Sequence, residues 1–174
     1  MDLQDAIALI TYKDIIEKPD AQWADLGCGS GFFTYALAHH LQKGSTIHAV
    51  DKAPVRLQKL PNPNNISFYT KQLDFVHHIL PFNNLDGILM ANSLHYVANK
   101  MHFITVAGQH LSDNGLFLIV EYDTDTPNPW VPNPVSCHSL QALFAKAGYT
   151  FFEKLGEIRS SFNTGDIYAA IIKK

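Results

Sequence analysis

The sequence predicts an α/β protein, a three-layer sandwich built on a doubly wound, mostly parallel sheet. Three observations carry this. Short apolar runs alternate with stretches of helical apolar spacing through Tyr122, the pattern of a parallel sheet covered on both faces. The first clear run stops at Asp25 and turns through Gly27, Gly29 and Gly31 into a helical pattern at Phe32. The last two runs stand too close together for a crossover helix, so they must pair antiparallel.

Each element follows in order. In MDLQDAIALITYKDII, the residues Leu3, Ile7, Ile10 and Ile15 lie roughly along one face, which predicts one helix within residues 1–20. The first strand covers about Gln22 to Leu26, and its helix runs from Phe32 to Leu41, ahead of Gly44. Thr46 to Val50 forms the second strand, followed by a short helix near Pro54 to Leu60, where proline suits a first turn. Pro61-Asn62-Pro63-Asn64-Asn65 is a loop before a third strand, Ile66 to Thr70. A brief helical turn around Phe75 to Leu80 leads to the fourth strand, Leu85 to Ala91. A helix over about Lys100 to Leu111 exits through Asp113-Asn114-Gly115 into the fifth strand, Leu116 to Tyr122, which is apolar until Glu121. Residues 123–138 then hold four prolines (127, 129, 132 and 134) around Trp130, a long structureless connection of the kind that carries function. Ser139 is a good N-cap for a helix to Ala147, closed by Gly148. Strands near Tyr149 to Glu157 and Asp166 to Ile172 finish the chain, joined by a polar stretch with Asn163 and Gly165.

The glycine turn is where chemistry enters. Glycine permits the bend and lets ligand atoms approach a bare backbone, while the first amides of the following helix point at polar ligand atoms. The dinucleotide fingerprint G-x-G-x-x-G requires a third glycine three residues beyond Gly29, and Phe32 stands there. The pattern present is acid-x-Gly-x-Gly-x-Gly. Twenty residues beyond Gly31, Asp51 ends the second strand, where a carboxylate can accept hydrogen bonds from both ribose hydroxyls and would repel a 2′-phosphate. The competing reading makes Asp51 a helix cap.

On Asp25, Gly27, Gly29 and Gly31 the chain resembles the class I S-adenosylmethionine-dependent methyltransferases, whose first motif is an acid followed by G-x-G-x-G. The resemblance implies a seven-stranded sheet of order 3-2-1-4-5-7-6 with strand 7 antiparallel, and S-adenosylmethionine as cofactor, leaving as S-adenosylhomocysteine. It implies that Cys28 lies in the cofactor turn and that Lys52 stands beside the ribose-binding Asp51. It also gives Asp74 the adenine amino group and the Phe75 amide a ring nitrogen, although a solvated aspartate is the ordinary alternative for Asp74. Asn92, at the start of ANSLHYV, would meet the methionine portion. Ser93 and Leu94 stand where base and glutamine methylases carry two prolines, which disfavours planar amino groups as acceptors. Motifs cover about Trp23 to Tyr122, and the remainder matches by pattern alone.

Composition narrows the partners. A chain of 174 residues, 47% hydrophobic and 17% charged, is expected to form one methyltransferase domain over 1–174 with a full core. A net charge of -3 offers no footprint for nucleic acid. No apolar run approaches the ~20 residues of a membrane span, and the N-terminus lacks a signal peptide's basic start. Two cysteines, one inside the glycine turn, point to a reducing cytoplasm. The pairs His39-His40 and His77-His78 lack helical zinc spacing, so no metal is expected.

The expected function is methyl transfer to a small molecule at oxygen or nitrogen. His95, just after the fourth strand, is the candidate base; packing on the cofactor is its ordinary alternative. Glu121 would bind an amine acceptor or pair with a loop donor, and Trp130 and Tyr96 would line an aromatic wall or simply pack. Residues 1–20, the loop 123–138, or a second copy or partner chain would close the pocket. Two rivals remain: a methyltransferase-like scaffold without turnover, and a nucleotide-dependent oxidoreductase, which lacks its third glycine.

Overall fold

The computed structural model describes residues 1–159 and 165–174. The chain runs α1 (Leu3–Leu9), α2 (Lys13–Glu17), β1 (Gln22–Leu26), α3 (Phe32–Ala38), β2 (Thr46–Asp51), β3 (Ser67–Gln72), β4 (Leu85–Ala91), α4 (Lys100–Ala107), β5 (Leu111–Tyr122), α5 (Cys137–Lys146), β6 (Phe151–Arg159) and β7 (Asp166–Lys173). Single 3₁₀ turns occupy Leu94–Tyr96 and Gly108–His110. The sheet order is β3-β2-β1-β4-β5-β7-β6, with β7 antiparallel to both neighbours and the first five strands parallel.

Alternation along the central strands builds two cores. Trp23, Ile47, Leu89 and Leu118 face α1 and α3, where Leu9, Ile10 and Leu37 complete one apolar layer. Ala24, Ile88, Phe117 and Ile119 point the other way, against Phe103 and Ile104 of α4 and Leu140 and Phe144 of α5. Side chains two apart share a face, so one run of consecutive apolar residues serves both layers.

Several expectations need correction, each for a tertiary reason. The N-terminal segment is two helices, because Leu9, Ile10, Tyr12 and Ile15 are all buried. Successive helical positions point ~100° apart, so the backbone breaks at an extended Tyr12 to bury them together. The helix expected at Pro54–Leu60 is absent: the Gln58 amide donates to the Ser30 carbonyl at 2.9 Å, laying this segment across the glycine turn. The expected helical turn at Phe75 is a single turn held by Asp74, whose carbonyl accepts from the His77 and His78 amides.

Asp113-Asn114-Gly115 is no exit turn but lies within β5. Leu111 pairs with Leu85 and Leu116 with Gly87, so these residues loop out of the ladder as an irregularity. The long connection ends at Ser136, which caps α5 in place of Ser139; Ser136 Oγ accepts from the Ser139 amide at 3.2 Å. Cys137 and His138 therefore belong to the helix. Asn163, expected in the last connection, lies outside the described residues.

Candidate active site

The glycine turn is held from the neighbouring strand. The Gly27 and Cys28 amides both donate to the Val50 carbonyl, at 2.8 and 3.0 Å, and the Gly29 amide donates to Asp51 Oδ2 at 2.9 Å. The other Asp51 oxygen accepts from the Ala53 amide at 2.9 Å. Asp51 thus ties the turn to the end of β2; no helix follows for it to cap. Gly27 has φ +82°, and a Cβ there would lie 2.5 Å from Ser93 Cβ, so both conformation and space demand glycine. At Gly29, with φ +53°, an added Cβ would meet nothing within 4 Å. The turn therefore backs onto open space at Gly29.

That space is a cleft with two lobes. One, about 220 Å³, is walled by Asp25, Cys28, Gly29, Phe32 and Asn92. The other, about 180 Å³, is walled by Asp51, Lys52, Asp74, Phe75, Asn92 and Tyr96. Nine of the ten residues assigned to the cofactor from sequence line one or both lobes; Gly31 instead caps α3. Asn92 belongs to both, is held at φ +52°, and has a buried Oδ1 without a hydrogen-bond partner among the described residues. An orphaned acceptor on a residue in the wall of a cleft of bare backbone and carboxylates suits a ligand rich in amino and hydroxyl donors. The residues present therefore fit an aminoacyl nucleoside such as S-adenosylmethionine.

The carboxylates differ in electrostatics. Asp25 is 1% exposed, accepts from the Thr34 hydroxyl at 2.5 Å, and is pushed by burial up to about 7. Burial also drives the Cys28 thiol well above its ordinary range, so it stays protonated. Asp74 is held below the usual carboxylate range by its hydrogen bond to His77 Nδ1 at 3.0 Å, aided by the Val76 amide. Lys52 lies with Nζ 5.6 Å from the Tyr96 ring centroid.

At the other end of the edge, His95 and Glu121 form a buried pair. Glu121 Oε2 is 2.8 Å from His95 Nδ1, and its Oε1 accepts from the His95 amide at 3.1 Å. A carboxylate only accepts, so Nδ1 carries a proton and donates it to Glu121. Nε2 is buried without a hydrogen-bond partner among the described residues. His95 does not itself line the cleft; its neighbour Tyr96 does, with its ring centroid 4.3 Å from the imidazole's. Glu121 is thus tied up by His95 and is not free to bind an amine. Two residues that sequence reasoning missed lock this corner. The Asn133 amide and side chain both donate to the His95 carbonyl, at 3.1 and 3.2 Å, and Lys100 Nζ donates to the Asn133 carbonyl at 2.6 Å. Only the position of Asn133 in the proline-rich loop hinted at it.

A further hollow, about 560 Å³, lies between the Phe75–Leu80 turn and α4 and shares Phe75, Val76 and His77 with the cleft. It exists because no helix fills the connection from β3 to β4. Among the described residues no group of three His, Cys, Asp or Glu could hold a metal ion.

Residues 24–117 match the family model described as a methyltransferase domain. Among solved structures, the chain is similar to the 1,6-didemethyltoxoflavin-N1-methyltransferase of Burkholderia thailandensis, bound to 1,6-didemethyltoxoflavin and S-adenosylhomocysteine. The TM-score is 0.66 at 18% identity, over 99% of this chain and 78% of that one. A SAM-dependent methyltransferase from Leishmania major gives a TM-score of 0.70 at 16% identity, covering 98% and 73%. One from Aquifex aeolicus gives 0.62 at 15%, with both chains covered fully at 100%. At such identities the likeness is one of fold. No curated protein sequence matches the chain.

Proposed function

Because the chain belongs to the family of methyltransferase domains, we propose that it methylates a small molecule at oxygen or nitrogen by in-line displacement. Family membership and the strand order 3-2-1-4-5-7-6 make it a class I enzyme that uses S-adenosylmethionine and releases S-adenosylhomocysteine. When bound, that cofactor supplies an electrophilic methyl group on a sulfonium, a leaving group that needs no protonation.

This chain's residues bind, orient and take up a proton. The backbone from Gly27 to Gly29 and the Asn92 side chain would hold the aminoacyl end, with Asp25 and Cys28 behind them. Asp51 and Lys52 would meet the ribose, and Asp74 and the Phe75 amide the adenine. His95 would receive the acceptor's proton on Nε2, a nitrogen that is buried here and would have to be uncovered as the acceptor binds, while Glu121 fixes the ring orientation, the division of labour between base and orienting carboxylate in hydrolase triads. Positioning alone supplies ~7–11 kcal/mol of barrier reduction, and a base adds ~10²–10⁴-fold.

The open cleft at Gly29, with Asp51 anchoring the turn, carries this reading. It leaves no observation favouring a non-catalytic scaffold. A small-molecule acceptor is supported by the net charge of -3, and the Burkholderia enzyme offers a precedent on the same fold. Ser93 and Leu94 in place of prolines disfavour planar amino groups. The chain acts over 1–174 as one methyltransferase domain, and its free cysteines Cys28 and Cys137 suit the cytoplasm. No helix among the described residues is long and apolar enough to cross a membrane.

Two measurements test it. Calorimetry with S-adenosylhomocysteine should register binding at submillimolar ligand, and no heat would refute the cofactor site. Incubation with labelled S-adenosylmethionine and cell extract should yield a small labelled product; label found only in nucleic acid would overturn the acceptor class.

A further inference from the structure

Resting on the methyl-transfer reading above, we propose that the acceptor is a planar aromatic molecule bearing an ionisable O–H or N–H, and that Trp130 selects it by stacking. Trp130 is 77% exposed, although an indole is among the costliest side chains to leave in water. Its exposure does not come from a slack loop. Asn128 and Val131 exchange both backbone hydrogen bonds at 3.1 Å, and Asn128 Oδ1 accepts from the Trp130 and Val131 amides at 2.9 and 3.0 Å. Val131 and Val135 are buried, and the Tyr168 hydroxyl donates to the Val135 carbonyl at 2.9 Å. Prolines at 127, 129, 132 and 134 restrict φ throughout. The loop is anchored downstream of the indole and braced at its turn, yet leaves the ring outside. A rigidly displayed aromatic is how a binding anchor is built, since its ordering cost is met before the ligand arrives.

Its location joins it to the chemistry. Asn133, three residues on, is bonded to the His95 carbonyl by two donors. Three residues span at most about 11 Å, so the backbone that carries the indole is tethered close to the His95–Tyr96 turn. Tyr96 is itself 54% exposed and lines the cofactor cleft. Two exposed aromatic rings tethered to one junction favour an acceptor with a π-face, which stacks on both indole and phenol. A phenolic or heteroaromatic O–H also gives up its proton far more readily than an aliphatic alcohol, which suits an imidazole base. In the step, the acceptor's O–H or N–H bond breaks with its proton passing to His95 Nε2, which must be uncovered as the acceptor seats, and the oxygen or nitrogen gains the methyl group. The S–CH₃ bonding pair stays on the sulfur of S-adenosylhomocysteine.

Fluorescence and calorimetry test it. Trp23, the other tryptophan, is 2% exposed, so quenching from solvent reports Trp130. The full chain, saturated with S-adenosylhomocysteine, is titrated with catechol and 8-hydroxyquinoline as aromatic probes and with ethanolamine and glycolate as aliphatic ones. At least one aromatic probe should quench saturably and neither aliphatic probe should. Calorimetry should show Trp130→Ala weakening that aromatic probe ~10-fold and Trp130→Phe by less than ~3-fold, with S-adenosylhomocysteine affinity unchanged in both. Absence of saturable aromatic quenching overturns the proposal, as does full aromatic affinity in Trp130→Ala. An aliphatic labelled product from the extract experiment would overturn it while leaving methyl transfer standing; failure of S-adenosylhomocysteine to bind would remove methyl transfer itself.

Discussion

Asp25 at the end of β1 and Glu121 near the end of β5 are each 1% exposed, and they are satisfied in opposite ways. Asp25 accepts from a neutral hydroxyl on Thr34, and burial lifts its acid to about 7. Glu121 holds an imidazole and an amide, both from His95. The first is a carboxylate kept short of a cation beside a cleft; the second is a finished pair. The contrast extends to their surroundings. Around Asp25 the wall is backbone and glycine, open at Gly29. Around Glu121 it is interlocked side chains, His95, Asn133 and Lys100. One half of the edge is open backbone, where the proposed reading seats the cofactor, and the other is locked by side chains that hold one another in place.

If Glu121 is the orienting partner, Glu121→Gln should fall hardest on rate. A glutamine can still accept from the His95 amide, but its NH₂ would donate to Nδ1 and move the imidazole proton to Nε2. Turnover on the extract's acceptor should drop ~10²–10⁴-fold with S-adenosylhomocysteine affinity unchanged; an equal loss of affinity would erase the division between the halves. Gly29→Val should do the reverse. Its side chain would enter the open lobe, so affinity by calorimetry should fall ~100-fold or more, about 3 kcal/mol, in a chain that still melts cooperatively. Retained binding would place the ligand elsewhere.

Asp25 offers a pH test of its isolation. Its folded acid is raised from 3.8 to about 7, so between those values the folded chain holds a proton that the unfolded chain has shed. Its contribution to stability therefore declines as pH rises through that window and levels off above it. Urea unfolding should show a loss of about 2–3 kcal/mol between pH 5 and pH 8 that Asp25→Asn abolishes; parallel pH profiles for the two would mean the carboxylate is compensated. The smallest effect is expected from Asp51→Asn. An asparagine keeps one acceptor oxygen for the Gly29 or Ala53 amide, so S-adenosylhomocysteine should weaken about 10-fold with little change in melting temperature. Unchanged affinity would reduce Asp51 to a brace for the turn.

The same contrast decides what could be read in advance. The glycine turn and Asp51 are legible because backbone-built features leave local spacing in the sequence: Gly27, Gly29 and Gly31 at alternate positions, and an acid where a strand ends. Strand order is legible only as what the family resemblance implies. The Glu121–His95 pair spans 26 residues and the Asn133–His95 tie 38, and no local pattern encodes either. Local rules also misled where distant partners outbid them. Pro54 looks like a helix start, but Ser30 captures the Gln58 amide and no helix forms. Ser139 looks like a cap, but Asp125 takes its hydroxyl at 2.9 Å and Ser136 assumes the role.

The two connections that flank β3 carry no helix, and β3 itself pairs with β2 alone and is mostly exposed. Such a margin exchanges its amide hydrogens early, being thinly buried and singly laddered. Asp74 and Phe75 ride on that margin, while Gly29 and Asn92 are mounted on the interior strands. On the proposed assignment, the nucleoside end of the cleft would thus breathe as the aminoacyl end stays put, and a ligand gripping both would act as a clasp that stiffens the outermost strand.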